Sequence, residues 1–361
     1  MSILIVTSVC LFFIVWGSFF QRQSSPQAAT FRDELVQNMN ERGLGSTWSS
    51  IYVINMASRT DRREHMELVA QALQLNFTYV EAVLKDSPAV DFIMERLWEE
   101  SVLQDRIRNG ETSAIRESEH PKLYGEQTWR EHVLSSFDKP NTVFPLNGTY
   151  ENIYFDFPAW PPQAPLACYL SHLKTWNLAL QNDDDSVLIL EDDIDAEFSL
   201  VNRWQEMTRS LADTEDGWDI VYLGWILGEE RVHKPTFHPG LRKSNRPMGT
   251  HAYSLSRKGL RRLNGHVHNL PDLFTSPIDH DLPTKYIRIN DSMGALQSYS
   301  ATPPIIIPFV ALGSDIGGDA SERWGGILAD STVERIRAFQ GHPVPKKDPK
   351  LIWEMWSTED M

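Results

Sequence analysis

The sequence predicts an α/β fold, because short β-rich segments alternate with amphipathic helical segments. Ile51–Ile54 is β-rich, Arg59–Leu73 has the spacing of an amphipathic helix, and Phe77–Val83 fits a second strand. Strand, helix, strand is the opening of many nucleotide-binding α/β domains. Further along, Val187–Leu190 is an apolar run that leads into carboxylates, which is typical of a buried parallel strand.

The same alternation continues along the rest of the chain. Other predicted elements are helices at Val90–Arg108, Ala167–Gln181 and Leu200–Leu211, strands at Trp218–Leu223 and Gly249–Leu255, a helix capped by Ser256, and an edge strand at Pro303–Val310. Asp183–Asp185 is interpreted as a solvated turn. Lys85–Pro165 is interpreted as an insertion that either shapes a substrate site or is a surface elaboration.

Charge and size limit the classes of protein that the chain can belong to. It has 361 residues with 34 Lys and Arg against 49 Asp and Glu, a formal net charge of −15. Such an acidic balance argues against nucleic acid as the main partner, because nucleic-acid-binding proteins display basic surfaces. A local basic pocket for phosphates remains compatible with it.

The amino terminus predicts a membrane anchor. Ile3–Phe20 is an uncharged stretch at the threshold length for a span, and Gln21–Ala29 is a polar, stem-like segment. A cleaved signal peptide is the alternative, although no clear cleavage motif follows.

Three sequons, at Asn76, Asn147 and Asn290, favour a lumenal body, although each one alone is a weak signal. Cys10 and Cys168 are the only cysteines, so no disulfide can form within the body and the fold must depend on its core.

The carboxylates Glu191, Asp192 and Asp193 follow the predicted buried strand directly. Ligands of open α/β sheets bind outside the carboxyl ends of strands, and clustered carboxylates hold hard divalent cations there. The cation can in turn hold a diphosphate. The alternative is a solvated acidic turn. Asp195 forms a D-x-D pattern with Asp193 but could point away from the site.

Several segments in one order make the chain resemble glycosyltransferase family 25, which includes lipooligosaccharide and procollagen galactosyltransferases. The resemblance covers about residues 50 to 318. Its segments are Ile54–Arg63 (INMASRTDRR), Ala167–His172 (ACYLSH), Glu191–Asp193 (EDD), Gly249–Ser256 (GTHAYSLS), Pro277–His280 (PIDH) and Gly313–Ile316 (GSDI).

The resemblance implies a GT-A fold, a Rossmann-like mixed sheet flanked by helices, and an inverting transfer from a UDP-sugar with Mn²⁺ or another divalent cation. Asp193 is then the strongest metal-ligand candidate, with Glu191 and Asp192 contributing directly or through water. Asp279 is the candidate general base that takes the proton of the acceptor hydroxyl. His280 or Asp281 could act instead, and a helix-capping Asp279 is the alternative.

Donor-binding candidates follow the first strand and precede the acidic one. Arg59, Arg62 and Arg63 could reach a diphosphate, because arginine forks recognise phosphate. The alternative is a solvated helix face paired with nearby glutamates. Asn55 could contact the nucleoside, and His172 either binds donor or is a satisfied core residue.

These inferences predict a signal anchor at residues 1–20, a stem at 21–50, a glycosyltransferase domain at 51–330 with an insertion at about 85–165, and a tail at 331–361. The expected protein is a single-pass type II enzyme of the Golgi or endoplasmic reticulum membrane. It transfers a hexose, with galactose favoured, to a glycan or glycoprotein. The alternatives are a non-catalytic carbohydrate-binding or scaffolding relative and, less favoured, a hydrolase.

Overall fold

The computed structural model describes residues 48–110, 129–137, 163–212, 214, 217–226, 228, 230, 233–269, 273–288, 294–313 and 327–343. None of the helices in these ranges is long and apolar enough to cross a membrane. The predicted anchor at residues 1–20 and the stem lie outside them, except for the stem's last residues.

Nine strands and eight helices make up the described part of the chain. In chain order they are β1 (Ser50–Asn55), α1 (Thr60–Leu73), β2 (Thr78–Glu81), α2 (Pro88–Arg108), α3 (Trp129–Phe137), α4 (Gln163–Gln181), β3 (Ser186–Glu191), β4 (Ile194–Ala196), α5 (Leu200–Ala212), β5 (Ile220–Tyr222), β6 (Leu241–Lys243), β7 (Ala252–Ser256), α6 (Arg257–Asn269), α7 (Ile278–Asp281), β8 (Ser298–Ala301), β9 (Ile306–Pro308) and α8 (Thr332–Phe339). A π-helical turn, Leu282–Tyr286, follows α7, and a 3₁₀ turn, Val310–Leu312, follows β9. From Val333 onward, α8 belongs to a second compact unit.

The central sheet is mixed, with the strand order β2-β1-β3-β7-β5-β8-β6. β1 is parallel to β2 and β3, and β5 is parallel to β8, whereas β7 is antiparallel to both β3 and β5. The predicted α/β fold is therefore confirmed, but the acidic strand β3 has a parallel neighbour on one side only. The predicted edge strand near Pro303 lies instead in a separate two-stranded sheet with β4.

Helices cover both faces of the sheet. Alternate residues of β1, such as Tyr52 and Ile54, share one core with α2, α3, α4 and α6. The intervening residues, Ile51 and Val53, are buried as well. Burial on both faces explains why the strands are continuous apolar runs.

The helices within the Lys85–Pro165 segment contribute to this core. Val90, Ile93 and Leu97 of α2 and Val133 of α3 are fully buried in it. The described parts of the segment are therefore not a surface elaboration, and residues 111–128 and 138–162 lie outside the description.

Helix α6 is held against the sheet by a cap and by a glycine. Ser256 accepts a hydrogen bond from the Gly259 amide at 2.9 Å, which confirms the predicted cap. A Cβ on Gly259 would lie 1.9 Å from the carbonyl oxygen of Asp219. The helix therefore approaches the backbone of the segment before β5 more closely than a methyl group allows.

We expect Gly259→Ala to lower the free energy of unfolding by about 1–3 kcal/mol, as overpacking does, because the obstructing atom is backbone and has little freedom to move. Urea denaturation would measure this. Arg261→Ala, on the exposed side of the same helix, is the control and should change stability by less than about 0.5 kcal/mol. An unchanged midpoint for Gly259→Ala would contradict the close approach.

Candidate functional site

The parallel pairing of β1 and β3 brings the predicted residues of both strand ends together. Ile54 pairs with Glu191, so Asn55 and Asp192, the next residue of each segment, lie side by side. The Asn55 side-chain amide donates to Oδ2 of Asp192 at 2.7 Å. The candidate site is thus at the carboxyl ends of parallel strands, as the sequence predicts.

Asp192 is held by protein groups at both of its oxygens. Besides Asn55, it accepts from Nη1 of Arg62 at 2.6 Å, and both side chains are buried. Nη2 of Arg62 lies 3.0 Å from Oδ2 of Asp193 and also donates to the carbonyl of Gly313. This pairing favours an anchoring role for Asp192 and leaves Asp193 and Glu191 as the better-placed cation ligands.

The other two arginines of the first helix have separate contacts. Arg59 forms an ion pair with Asp61 at 2.8 Å and donates to the carbonyl of Leu312 at 2.7 Å. The Arg63 guanidinium lies over the ring of Tyr79, 4.1 Å from its centroid, and is exposed. All three arginines therefore have protein contacts of their own.

Glu191 faces a buried polar row that connects it to helix α4. Its Oε1 accepts from Thr250 at 2.9 Å and lies 3.7 Å from Nε2 of His172. The other ring nitrogen of His172 is 2.8 Å from the Tyr253 hydroxyl, which accepts from the Trp176 indole at 2.7 Å. Burial would raise the pKa of Glu191, but His172, His251 and Thr250 outweigh it and lower that pKa.

Asp193 carries the opposite shift. Burial, followed by the negative charge of Glu191, raises the pKa of Asp193 to about 7, although the paired Arg62 lowers it. The negative charge of one carboxylate disfavours ionisation of its neighbour. A divalent cation bound by both carboxylates would offset that repulsion.

Asp279 belongs to the same electrostatic neighbourhood, although it lies on the short helix α7. Burial and then the charge of Glu191 raise its pKa. Its two alternatives differ in setting: His280 is exposed, and Asp281 is fully buried with the Lys285 ammonium 3.1 Å away. The effect of the Glu191 charge favours Asp279 as the group near the acid cluster.

Three residues near Glu191 were not singled out from the sequence as site residues. Thr250 and Tyr253 lie in the segment Gly249–Ser256. Cys168 lies one helical turn before His172, so a search for side chains at i and i+4 could have found it.

Asp195 turns away from the site. Its Oδ1 accepts from the Ala196 amide at 2.7 Å and its Oδ2 from the Ser331 hydroxyl at 2.5 Å. It therefore stabilises β4 and the segment before α8. The two carboxylates of the D-x-D pattern, Asp193 and Asp195, do not form one site.

The fold and site define a mixed α/β domain whose parallel strands end in a partly paired acid cluster beside a buried histidine. A family model described as "Glycosyltransferase family 25 (LPS biosynthesis protein)" matches residues 163–282, which include α4, β3 and α7. This match confirms, for residues 163–282, the resemblance to glycosyltransferase family 25 that was drawn from the sequence.

Curated relatives point the same way. Procollagen galactosyltransferase 1-B of Xenopus laevis is 23% identical over 87% of this chain and 44% of its own length. Procollagen galactosyltransferase 1 of Danio rerio is 29% identical over 40% of this chain and 25% of its own length. Procollagen galactosyltransferase 2 of Mus musculus is 21% identical over 72% and 35%, respectively. The chain spans less than half the length of each of these relatives.

Proposed function

We propose that the chain is a metal-dependent, inverting hexosyltransferase of GT-A type that uses a UDP-sugar, with galactose as the first choice. The proposal is supported most by three carboxylates, Glu191, Asp193 and Asp279. Burial and then the charge of Glu191 raise the pKa of both Asp193 and Asp279, so all three share one electrostatic neighbourhood. The names of the relatives support galactose, and a glycan or glycoprotein hydroxyl as acceptor.

Each side chain at the site has a separate role in the proposed transfer. Asn55 and Arg62 fix Asp192 and so hold the end of β1 against the end of β3. Asp279 accepts the proton of the acceptor hydroxyl as that oxygen attacks, and its raised pKa makes it a stronger base than an ordinary aspartate. His172 is positioned to orient Glu191 or contact the donor.

The donor set fits a hard divalent cation such as Mn²⁺. Carboxylate oxygens are its preferred ligands. Burial and then the charge of Glu191 raise the pKa of Asp193, so a bound cation would favour the ionised form of that carboxyl. A bound cation would offset the negative charge on the departing diphosphate. Glu191 and Asp193 would hold it, because both oxygens of Asp192 already accept hydrogen bonds, one from Asn55 and one from Arg62.

A non-catalytic carbohydrate-binding relative is the alternative function. The intact carboxylates argue against it, because a binding module has no need of a carboxylate with a raised pKa. A hydrolase is less favoured, since glycosidases place two acids at opposite sides of the scissile bond.

Release of UDP tests the proposal directly. Purified protein should release UDP from UDP-galactose when Mn²⁺ and a collagen-type or glycan acceptor are present, and UDP-glucose and UDP-N-acetylglucosamine serve as competing donors. If none of the three donors is turned over and none raises the melting temperature with Mn²⁺, the non-catalytic alternative is favoured.

Cation binding should depend on pH in a defined direction. Without metal, the raised pKa of Asp193 keeps a proton on the folded protein up to about pH 7, whereas the unfolded chain loses it near the ordinary pKa of 3.8. This group therefore favours the folded state at low pH, and its contribution is lost as pH rises through that window. A cation needs the carboxylate, so it should stabilise the protein more above pH 7 than below.

We expect Mn²⁺ to raise the melting temperature clearly at about pH 8 and little at about pH 5.5. Differential scanning fluorimetry with and without the metal would show this. In Asp193→Asn the difference between the two pH values should shrink. An equal shift at both pH values would contradict the assignment.

We also propose that the body is lumenal, held in the Golgi or endoplasmic reticulum membrane by a type II signal anchor at residues 1–20. The uncharged stretch Ile3–Phe20 and the sequons support this placement. Asn76 is the sequon asparagine that falls within the described residues. It lies in the connection between α1 and β2, and its side chain is exposed.

The full chain made in a secretory cell should carry a glycan on Asn76. Asn76→Gln and Thr78→Ala should each remove the same glycosidase-sensitive mobility shift, because both residues of the sequon are exposed. If glycosidase treatment changes nothing in the wild-type chain, the lumenal placement is wrong.

A further inference from the structure

Three different metal-ligating side chains meet beside the acid cluster. Cys168 and His172 are four residues apart on α4, so they project from one face of that helix. Glu191 ends the strand β3 next to them. A thiol sulfur, an imidazole nitrogen and a carboxylate oxygen from these residues all lie within 4.8 Å of one another.

His172 shows that this cluster is incomplete as it stands. Its side chain is fully buried, and its Nε2 has no hydrogen-bond partner. A buried polar atom without a partner costs about 1–3 kcal/mol and calls for an explanation. The carboxylate Oε1 of Glu191, 3.7 Å away, is too far for a hydrogen bond.

The ring of His172 is already oriented in the way that metal-binding histidines are. Nδ1 is 2.8 Å from the Tyr253 hydroxyl, and Trp176 fixes that hydroxyl from the other side at 2.7 Å. Metal-ligating histidines usually donate their second ring N–H to a fixed partner of this kind. In the tautomer that carries its proton on Nδ1, the lone pair of Nε2 is free to bind a metal next to Glu191.

The spacing of the three atoms suits a tetrahedral ion. Zn²⁺ bonds of about 2.0–2.3 Å at tetrahedral angles place ligand atoms about 3.3–3.8 Å apart. The separation of Nε2 and Oε1 already has this value, and the thiol needs a movement of about 1 Å at most. Sulfur and nitrogen ligands favour Zn²⁺ over Mn²⁺.

We propose that Cys168, His172 and Glu191 form a Zn²⁺ site beside the oxygen-ligand site proposed for Mn²⁺, and that the two sites share Glu191. On binding, the Cys168 S–H bond breaks, the S–Zn bond forms, and the proton leaves to solvent. A fourth position stays open to water. Since one carboxylate serves both sites, Zn²⁺ and Mn²⁺ compete for it.

Cobalt absorption tests the site without any sugar donor. The full chain is stripped with a chelator and titrated with Co²⁺, which replaces Zn²⁺ and gives a thiolate-to-cobalt charge-transfer band in the near ultraviolet. We expect one equivalent of Co²⁺ to produce the band, and Zn²⁺ to abolish it at a far lower concentration than Mn²⁺. Cys168→Ser should remove the band, and His172→Gln should weaken Zn²⁺ binding by about tenfold or more.

Two matched variants control for other ligands. Cys10→Ser removes the other cysteine of the chain, and His251→Gln removes a buried histidine near Glu191 whose Nε2 contacts the Ile306 carbonyl at 3.4 Å. Both should keep the band. Circular dichroism establishes that each variant is folded, and a competing chromophoric chelator measures Zn²⁺ affinity independently of the band.

The proposal is overturned if the wild-type chain gives no band, if folded Cys168→Ser retains it, or if His172→Gln binds Zn²⁺ as tightly as the wild type. Because these readouts need neither donor nor acceptor, they are separate from the failure of the transferase proposal, which UDP release reports.

Discussion

Asp193→Asn is expected to lower the rate of UDP release by about 100-fold or more, because a metal-held diphosphate contributes several kcal/mol to the transition state. The substituted amide keeps the size of the side chain and its contact with Arg62 while removing the charge. The side chain of Asp193 is 19% exposed, so it is partly open to solvent. The asparagine that replaces it keeps the contact with Arg62.

The rate loss should come with a loss of metal dependence. Initial rates measured against Mn²⁺ concentration should require much more metal in the variant than in the wild type. Asp185→Asn is the control, because Asp185 is 86% exposed and pairs with Arg257 before β3. A variant at Asp193 with the rate and metal requirement of the wild type would show that Asp193 is not a ligand.

The opening of the domain could be predicted from its sequence because its signals are local. The apolar spacing of α1 identified Met66, Val69, Ala70 and Leu73, and all four are buried. The run Val187–Leu190 is buried at every position. Periodicity of this kind depends on neighbours in the sequence and needs no knowledge of distant partners.

Strand direction and buried polar contacts could not be predicted in the same way. β7 was found as a strand, but its antiparallel direction depends on the path of the connection from β5. Asp184 was interpreted as part of a solvated turn, yet it is buried and accepts from the hydroxyls of Ser50 and Tyr52 at 2.7 Å. Its partners lie more than 130 residues away, where local polarity carries no information.

The acid cluster combines both situations. Its position at the end of β3 could be predicted from the apolar run that precedes the carboxylates, but the separate role of each carboxylate could not. Asp192 and Asp193 are adjacent and identical in type, but buried Asp192 pairs with both Asn55 and Arg62, whereas Asp193 pairs with Arg62 and is more exposed. The role of each carboxylate could therefore be assigned only from the three-dimensional contacts among β1, α1 and β3.

Arg62→Met should lower the free energy of unfolding by about 3–5 kcal/mol, the cost of leaving a buried charge without its partner. Arg62 is buried and pairs with Asp192 at 2.6 Å and with Asp193 at 3.0 Å. Its removal also deprives the Gly313 carbonyl of a donor. Guanidinium chloride denaturation would measure the effect, which should exceed that of any exposed ion pair in the domain.

Arg63→Met is the matched control on the same helix. Its guanidinium lies over the Tyr79 ring and is exposed, so its loss should cost about 1 kcal/mol or less. The two variants remove the same charge from adjacent positions, and the difference between them isolates the buried pairing.

A double variant separates anchoring from diphosphate binding. If Arg62 mainly neutralises Asp192, Arg62→Met with Asp192→Asn should recover part of the lost stability, because the unpaired charge is gone, with a coupling of about 0.5–3 kcal/mol. If Arg62 instead serves the donor diphosphate, the single variant should keep its stability and raise the KM for UDP-galactose. The short buried contacts favour the first outcome, in which Arg62 sets the charge balance of the cluster and thereby leaves Asp193 and Glu191 to the proposed cation.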